Sequence, residues 1–454
     1  MGVLSVGGPT VEDTRSPAGA EVRRPRRRGG LVSGTETVGG VKAGGTAAAG
    51  TTAGRDAPPV SAAAGWRGGF GRLWAAAVVS RVGDSLRTAA LPLLAVTLTD
   101  DPLLVAAVTA CGFLPWLLFG LLGGAVADRV DQRRAMWTVD LARGALVAGF
   151  ALVVALGHAS IALLLVLAFA LTSLGTLFDN AASALLPAVV PAEALASANA
   201  RLMTGQQMAG GILAAPLVPV LLLWGPALPY AVDAATYLLA ALLIASLRPA
   251  AVDRPPRPAG STLRAETAEG LRTLWRDGVL RRVCAATTLT NVAVGALIAT
   301  LVLHVTDWLG AGSGGYAAAL TAYATGAVAG GLVARKLAER TGRIRAVLLA
   351  GAVQTAALLA LGAVRELWAL LPALAVFGLM GMVWNVQQTT LLQERTPAAT
   401  LGRTSAAFRT LAVAGAPLGA LLGGAAATWA PNAPALLAAG LFGLATVSLA
   451  GQIN

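Results

Sequence analysis

The feature that most constrains this chain is a steady succession of apolar runs, each about the length of a membrane span, separated by short polar breaks. A helix crossing the hydrocarbon core needs ~20 mainly apolar residues, because its backbone polar groups must all be satisfied within the segment. On that criterion the sequence predicts spans at Leu73 to Leu98, Leu103 to Ala127, Ala135 to Leu156, Ile161 to Ala182, Ala194 to Trp224 and Leu228 to Leu247. After a polar stretch come Val283 to Val305, Tyr316 to Ala334, Ala346 to Val364, Leu367 to Leu392, Ser405 to Trp429 and Ala433 to Leu449. Composition agrees: 56% of the 454 residues are hydrophobic and 12% charged, against about 45–50% and about 25% in a soluble domain. The expected fold is therefore all-α, with twelve transmembrane helices in two pseudo-symmetric six-helix halves.

This organisation gives four regions: a basic, disordered cytoplasmic tail over 1–70, a first half over 71–247, a linker over 248–281 and a second half over 282–454. The halves are nearly equal in length, which points to an internal duplication of the kind transporters use. In the linker, Pro255, Pro256 and Pro258 break any helix. Beyond them Ser261 or Thr262 can cap a helix with Glu266 and Glu269 early and Arg272 and Arg276 late. Leu263, Leu271, Leu274 and Trp275 would share one face, so the helix is expected to lie in the cytoplasmic interface as a tether, with its arginines toward lipid headgroups.

The net charge of +12 would suggest nucleic acid in a soluble protein. Here the basic residues fall in alternate loops. With the N-terminus inside, the inner loops carry twenty Lys and Arg residues and the outer loops only Arg365. This asymmetry predicts cytoplasmic termini in a multi-pass cell-membrane protein and no nucleic-acid partner. Cys111, Cys284, His158 and His304 lie far apart in or beside apolar runs, so neither a metal site nor a cofactor site is expected. Lys42 is followed by Ala43 and Lys336 by Leu337, so the Gly-Lys-Ser/Thr of a phosphate-binding loop is missing. Any uphill transport must then draw on an ion gradient or a separate partner.

Charged residues inside the spans are the functional candidates, because they are expensive there. Asp84 falls ~16 Å inside Leu73, near mid-membrane, with Arg81 and Arg87 three residues to either side. Asp140 and Arg143 form an i, i+3 pair in the third span, and Asp233 lies in the sixth. These six are the candidate proton-coupling residues. Gln206 and Gln207, Tyr323, and Trp384, Asn385, Gln387 and Gln388 offer amide and aromatic groups to an amphipathic ligand, or hydrogen bonds between helices.

The loop between the second and third spans places Gly124, Asp128, Arg129, Asp131 and Arg133 together: a small residue, an acid at a helix end and a basic turn. Glu339, Arg340, Gly342 and Arg343 repeat the pattern in the second half, with Gly330 and Gly331 upstream. In the fifth span Gly211, Ala215 and Pro216 form a small-x-x-x-small-Pro run after Gly205 and Gly210, and Gly415 to Gly419 looks like its partner in the eleventh. The chain resembles the major facilitator superfamily, whose loop signature is G-x-x-x-D-R-x-G-R-R/K and whose antiporter signature is G-x-x-x-G-P-x-x-G-G. It departs from the first at Asp131 and Gln132, and from the second at Ala215, Pro219 and Val220. A finer resemblance, to the branch of macrolide efflux proteins and the enterobactin exporter, rests on Ser80-x-x-Gly83-Asp84, Asp140-x-x-Arg143, Leu186-Pro187, Ala198-Asn199-Ala200 and Asp233-Ala-Ala-x-Tyr237.

The resemblance implies proton-driven export of a small amphipathic compound by alternating access, from a monomer surrounded by lipid. It implies that Asp128 acts in gating, against the N-terminal end of the eleventh span. The arginine often tied to coupling in the fourth span is missing, since Ile161 to Ala182 contains no basic residue. A solute importer of the same fold, a non-transporting sensor or scaffold, and a membrane-embedded enzyme are the rival classes. Against the last, no H-E-x-x-H pair exists and neither histidine has a polar neighbourhood.

Overall fold

The computed structural model describes residues 69–119, 131–190, 195–247, 263–397 and 400–451. Gly124, Asp128 and Arg129, the tail over 1–68 and the linker over 248–262 lie outside the described residues. The first half contains α1 (Gly69–Leu98), α2 (Pro102–Phe119), α3 (Gln132–Ala155), α4 (Ile161–Val189), α5 (Leu195–Gln207), α6 (Ala215–Trp224) and α7 (Leu228–Ala245). After the linker helix α8 (Leu263–Arg276) come α9 (Gly278–Leu303), α10 (Ser313–Thr341), α11 (Arg343–Ala363), α12 (Leu367–Arg395), α13 (Leu401–Ala427) and α14 (Ala433–Ala450).

Eleven of these helical stretches are long and apolar enough to cross a membrane. The stretch α1 is 30 residues long but falls outside that group. Arg81, Asp84 and Arg87 at its centre lower its apolar character, although it packs fully into the bundle. The predicted fifth span is one continuous rod with a defect. A π-helical turn over Met208–Ala214 joins α5 to α6. Pro216 cannot donate to the carbonyl of Ile212, so a backbone acceptor inside that turn loses its regular partner. A second π turn, His304–Trp308, extends α9.

Helix pairing repeats between the halves. In the first, α7 packs on α1 and α3, and α4 packs on α3 and α2. In the second, α14 packs on α9 and α11, and α12 packs on α11 and α10. Glycines set the closest approaches: Gly330 lies on the backbone of Leu379, and Gly415, Gly419 and Gly423 lie in register on α9 at Thr288, Val292 and Ala296. The Gly415–Gly419 run therefore serves packing within the second half. The halves meet where α2 crosses α13 and α9, through Ala106, Ala110, Ala299 and Ala420. They meet again where the π turn and α6 cross α10, with Gly211 against Ala324.

The linker helix forms where expected but divides its apolar face. Leu274 is fully buried and Gly270 rests on the backbone of Arg403, while Leu271 and Trp275 stay exposed. Glu269 pairs with Arg403, and Asp277 accepts from the Val279 and Leu280 amides at 2.8 and 3.0 Å to cap α9. The helix is thus pinned onto α13 by one face rather than presenting its whole apolar stripe outward.

Candidate functional site: a charged cluster in the wall of a central cavity

Asp84 is the hub of the site. Its Oδ1 accepts from Arg87 Nη2 at 2.9 Å, from Arg143 Nη2 at 3.3 Å and from the Tyr237 hydroxyl. Arg87 also donates through Nε to Asp233 Oδ2 at 2.9 Å, and Arg143 Nη1 reaches Asp140 Oδ1 at 3.4 Å. The Arg143 guanidinium lies over the Tyr237 ring, 4.4 Å from its centroid, a favourable position for a cation. Three helices, α1, α3 and α7, supply the cluster.

Local packing explains the convergence. Gly83 has no Cβ, and one built there would stand 3.0 Å from Asp233 Cα and collide with the Asp233 and Thr236 side chains, so the glycine lets α7 bring its carboxylate against α1. Gly175 of α4 likewise leaves room for Arg143 Nη2. Asp140 and Asp233 have fully buried side chains, whereas Asp84 keeps 20% of its side chain exposed.

That exposed edge faces a cavity of about 600 Å³ between the halves. Its polar lining includes Arg81, Asp84, Arg87, Arg143, Asp179, Gln206 and Gln207, and its aromatic lining includes Phe113, Trp116, Phe178, Tyr316 and Tyr323. Gly211 and Ala215 line it as well, while Pro216 borders a separate apolar groove between α6, α10 and α12. Such a space suits an amphipathic molecule, with apolar walls for bulk and a few polar groups for orientation.

The sequence candidates separate on this geometry. Arg87 pairs with Asp84 as its spacing suggests, but Arg81 lines the cavity and acts on Asp84 only at longer range. Asp140 and Arg143, read as a pair of their own, belong to the Asp84 cluster. Gln206, Gln207 and Tyr323 line the cavity. Trp384, Asn385 and Gln388 lie apart from that lining. Trp384 Nε1 donates to Gln388 Oε1 at 3.1 Å and Thr287 Oγ1 donates to the same oxygen at 2.6 Å, tying α12 to α9. Asn385 accepts from Gln388 Nε2, and Gln387 donates to the Ala334 carbonyl at 2.8 Å.

In the second-half loop Gly342, at φ +82°, ends α10 and starts α11, a backbone state that favours glycine. Arg343 pairs with Glu394 and Glu339 with Arg335, while no shared contact ties Arg340 to them among the described residues. In the first-half loop Asp131, where the signature prefers glycine, caps α3 by accepting from the Arg134 amide at 2.8 Å, and Arg133 donates to the Ala245 carbonyl. Sequence reasoning named Tyr237 only as part of the resemblance, with no role in the site, and missed Asp179. The i, i+4 spacing of Asp233 and Tyr237, which puts both on one helix face, was the available signal for the first; Asp179 stood near the C-terminal end of an otherwise apolar run.

Two repeated helical halves around a central, partly charged cavity define a membrane transporter. Comparison with known proteins gives the family. The model for transmembrane secretion effectors, MFS_3, matches residues 61–453, and the chain belongs to that family of the major facilitator superfamily. The Escherichia coli enterobactin exporter EntS is 30% identical over 338 residues, covering 72% of this chain and 78% of EntS. An MFS-type transporter of Mycobacterium tuberculosis is 35% identical over 133 residues, so the match covers 29% of this chain and only 30% of that relative. The crystal structure of the nucleoside transporter NupG shares the fold, with a TM-score of 0.65 at 12% identity, covering 84% of this chain and 99% of NupG. The family is one of transporters rather than an enzyme class.

Proposed function

We propose that this transporter exports an amphipathic drug-like or natural-product molecule in exchange for protons, by alternating access of the central cavity to the two faces of the membrane. One observation carries the reading: an aromatic cavity wall is interrupted by a carboxylate, Asp84, that is both partly exposed and wired to buried acids and arginines. A group of that kind can answer to a ligand and to a proton at once. The similarity to a named exporter over most of the chain supports the outward direction.

The proton is the coupling ion and no bound cofactor takes part. The protein works as a monomer in the cell membrane, with lipid around it and no nucleic-acid partner. The Lys and Arg asymmetry of the loops supports cytoplasmic termini, and on that orientation Arg133, Gly342 and Arg343 belong to inner-face loops.

A host lacking its own pumps, expressing this chain and screened for efflux of ethidium and other hydrophobic compounds, tests the proposal. The expected result is lowered accumulation that a protonophore abolishes. Uptake into right-side-out vesicles rather than into everted ones would replace export by import.

A further inference from the structure

The buried cluster does not balance. Among the described residues its ion-paired members are three carboxylates, Asp84, Asp140 and Asp233, and two guanidiniums, Arg87 and Arg143, while Arg81 and Asp179 add one charge of each sign at longer range. Uncompensated charge away from water is strongly disfavoured, and breaking such a balance is met most cheaply by protonating an acid. The hydrogen bonds show where. Asp84 has three donors. Among the described residues Asp233 Oδ1 and Asp140 Oδ2 are buried without a partner, but Asp233 keeps a 2.9 Å bond to Arg87, while the contact found for Asp140 is a 3.4 Å one with a guanidinium already engaged elsewhere.

Resting on the proton-exchange reading above, we propose that the transported proton resides on Asp140, and that Arg143, shared between Asp140 and Asp84, transmits its arrival and departure to the cavity. The charged groups that act on Asp140 directly are Arg143 on its own helix, Asp84 on α1 and Asp179 on α4, while Arg87 on α1 and Asp233 and Tyr237 on α7 join the cluster through Asp84 and Arg143. Two of the groups acting directly, Asp84 and Asp179, are acids, and a neutral Asp140 relieves repulsion with both.

The exchange follows from the divided guanidinium. With Asp140 protonated, Arg143 is released to Asp84, and the cavity wall is charge-neutral. A cationic or hydrogen-bond-donating group of the substrate, arriving at the exposed edge of Asp84, competes for that carboxylate and returns Arg143 to Asp140. The Asp140 O–H bond then breaks, leaving its electron pair on the carboxylate, and because Asp140 is buried behind Arg143, which lines the cavity, the proton leaves on a water admitted as Arg143 shifts. Substrate departure reverses the sequence, and water delivers a proton to Asp140. Asp84 is accordingly the ligand-sensing anion and Asp140 the proton seat.

Infrared spectroscopy of the full-length protein in liposomes reads the proton without a known substrate. At neutral pH the wild type should show the carbonyl stretch of a buried, protonated carboxylic acid, insensitive to bulk pH over the neutral range. Asp140→Asn should lose that band, and Asp233→Asn should keep it. Should Asp140→Asn fail to reach the membrane, a band present in the wild type and retained in Asp233→Asn still supports the proposal. A wild type without the band, a band that survives in Asp140→Asn, or one lost in Asp233→Asn overturns it. Flux separates this from the exchange reading. If the wild type lowers ethidium accumulation on an imposed pH gradient, Asp140→Asn should lose the gradient dependence yet exchange ethidium downhill, and retained dependence overturns the proton seat. A wild type that exports without any response to the pH gradient overturns proton exchange instead, and the infrared band then locates a structural proton.

Discussion

Arg87 on α1 donates through Nε to Asp233 Oδ2 on α7 at 2.9 Å, across 146 residues of sequence and with both side chains withdrawn from solvent. The bond joins the first and last spans of one half beside the cavity that Arg87 lines. Removing one member of a buried pair costs about 3–5 kcal/mol, because the other is left charged and unpaired. Arg87→Ala should therefore lower the thermal stability of the detergent-solubilised protein by a corresponding amount. Adding Asp233→Asn should recover some of the loss by removing the stranded charge. Equal melting of Arg87→Ala and wild type would show that the pair contributes nothing.

The approach of α7 to α1 rests on Gly83, so its substitution should act on the same cluster without removing a charged residue. Overpacking of a close contact costs about 1–3 kcal/mol, and Gly83→Ala should reduce both folded yield and transport. Gly149 on α3 has no neighbour within 4 Å of a built Cβ, so Gly149→Ala should be neutral or gain the ~0.5–1 kcal/mol that alanine gives in a helix interior. Fluorescence-detected size exclusion of the two variants, heated in parallel, checks the contrast. A Gly149→Ala protein as impaired as Gly83→Ala would mean that the interhelical contact at Gly83 is not what distinguishes the two positions.

Much of this architecture was readable from hydropathy alone, and the residues show why. Span positions follow from apolar length: Leu367 to Leu392 was expected and Leu367–Arg395 is observed. Apolar length does not sense hydrogen-bond defects, so the π turn at Met208–Ala214 was hidden inside a single run. Charge inside a span was an equally strong signal and found Asp84, Arg87, Asp140, Arg143 and Asp233. What it could not give was partnership. The Arg143 contact with Asp84 spans 59 residues, and nothing in local spacing distinguishes it from the i, i+3 pair with Asp140 that the sequence displays. Amide and aromatic side chains proved the least legible, since Gln207 on the cavity and Gln387 bonded to a backbone carbonyl differ only in which way their helix faces.

Gly211 of the π turn meets Ala324 of α10 across the boundary between halves. Alternating access by rocking must open contacts on one side of the cavity while others close on the opposite side. With Cys111 and Cys284 replaced by serine, a Gly211→Cys, Ala324→Cys pair should cross-link under mild oxidation and stop ethidium efflux, and reduction should restore it. Undiminished efflux from fully cross-linked protein would mean that this contact persists throughout the cycle and that the halves move about another line.

Arg395 Nε holds Asp277 Oδ2 at 2.9 Å, tying α12 to the junction of the linker helix with α9. Partial burial of Asp277 works against its ionisation, but the Leu280 amide, the Arg395 guanidinium and the Val279 amide together outweigh it and hold the carboxyl below its ordinary value of 3.8. A carboxyl whose pKa is depressed by folding adds stability that is fully present above its unfolded pKa and lost as pH falls through the folded one. The junction should thus be indifferent to pH from neutrality down to about pH 5 and loosen below about pH 4. Asparagine is itself a good N-cap, so Asp277→Asn should keep the cap and lose the charge pair, abolishing the acid-induced loosening. Asp277→Ala should lose both and be loose at every pH. Hydrogen exchange at the Val279 and Leu280 amides, corrected for the intrinsic effect of pH, distinguishes the three proteins. If wild type and Asp277→Asn loosen together on acidification, a group other than Asp277 controls the junction.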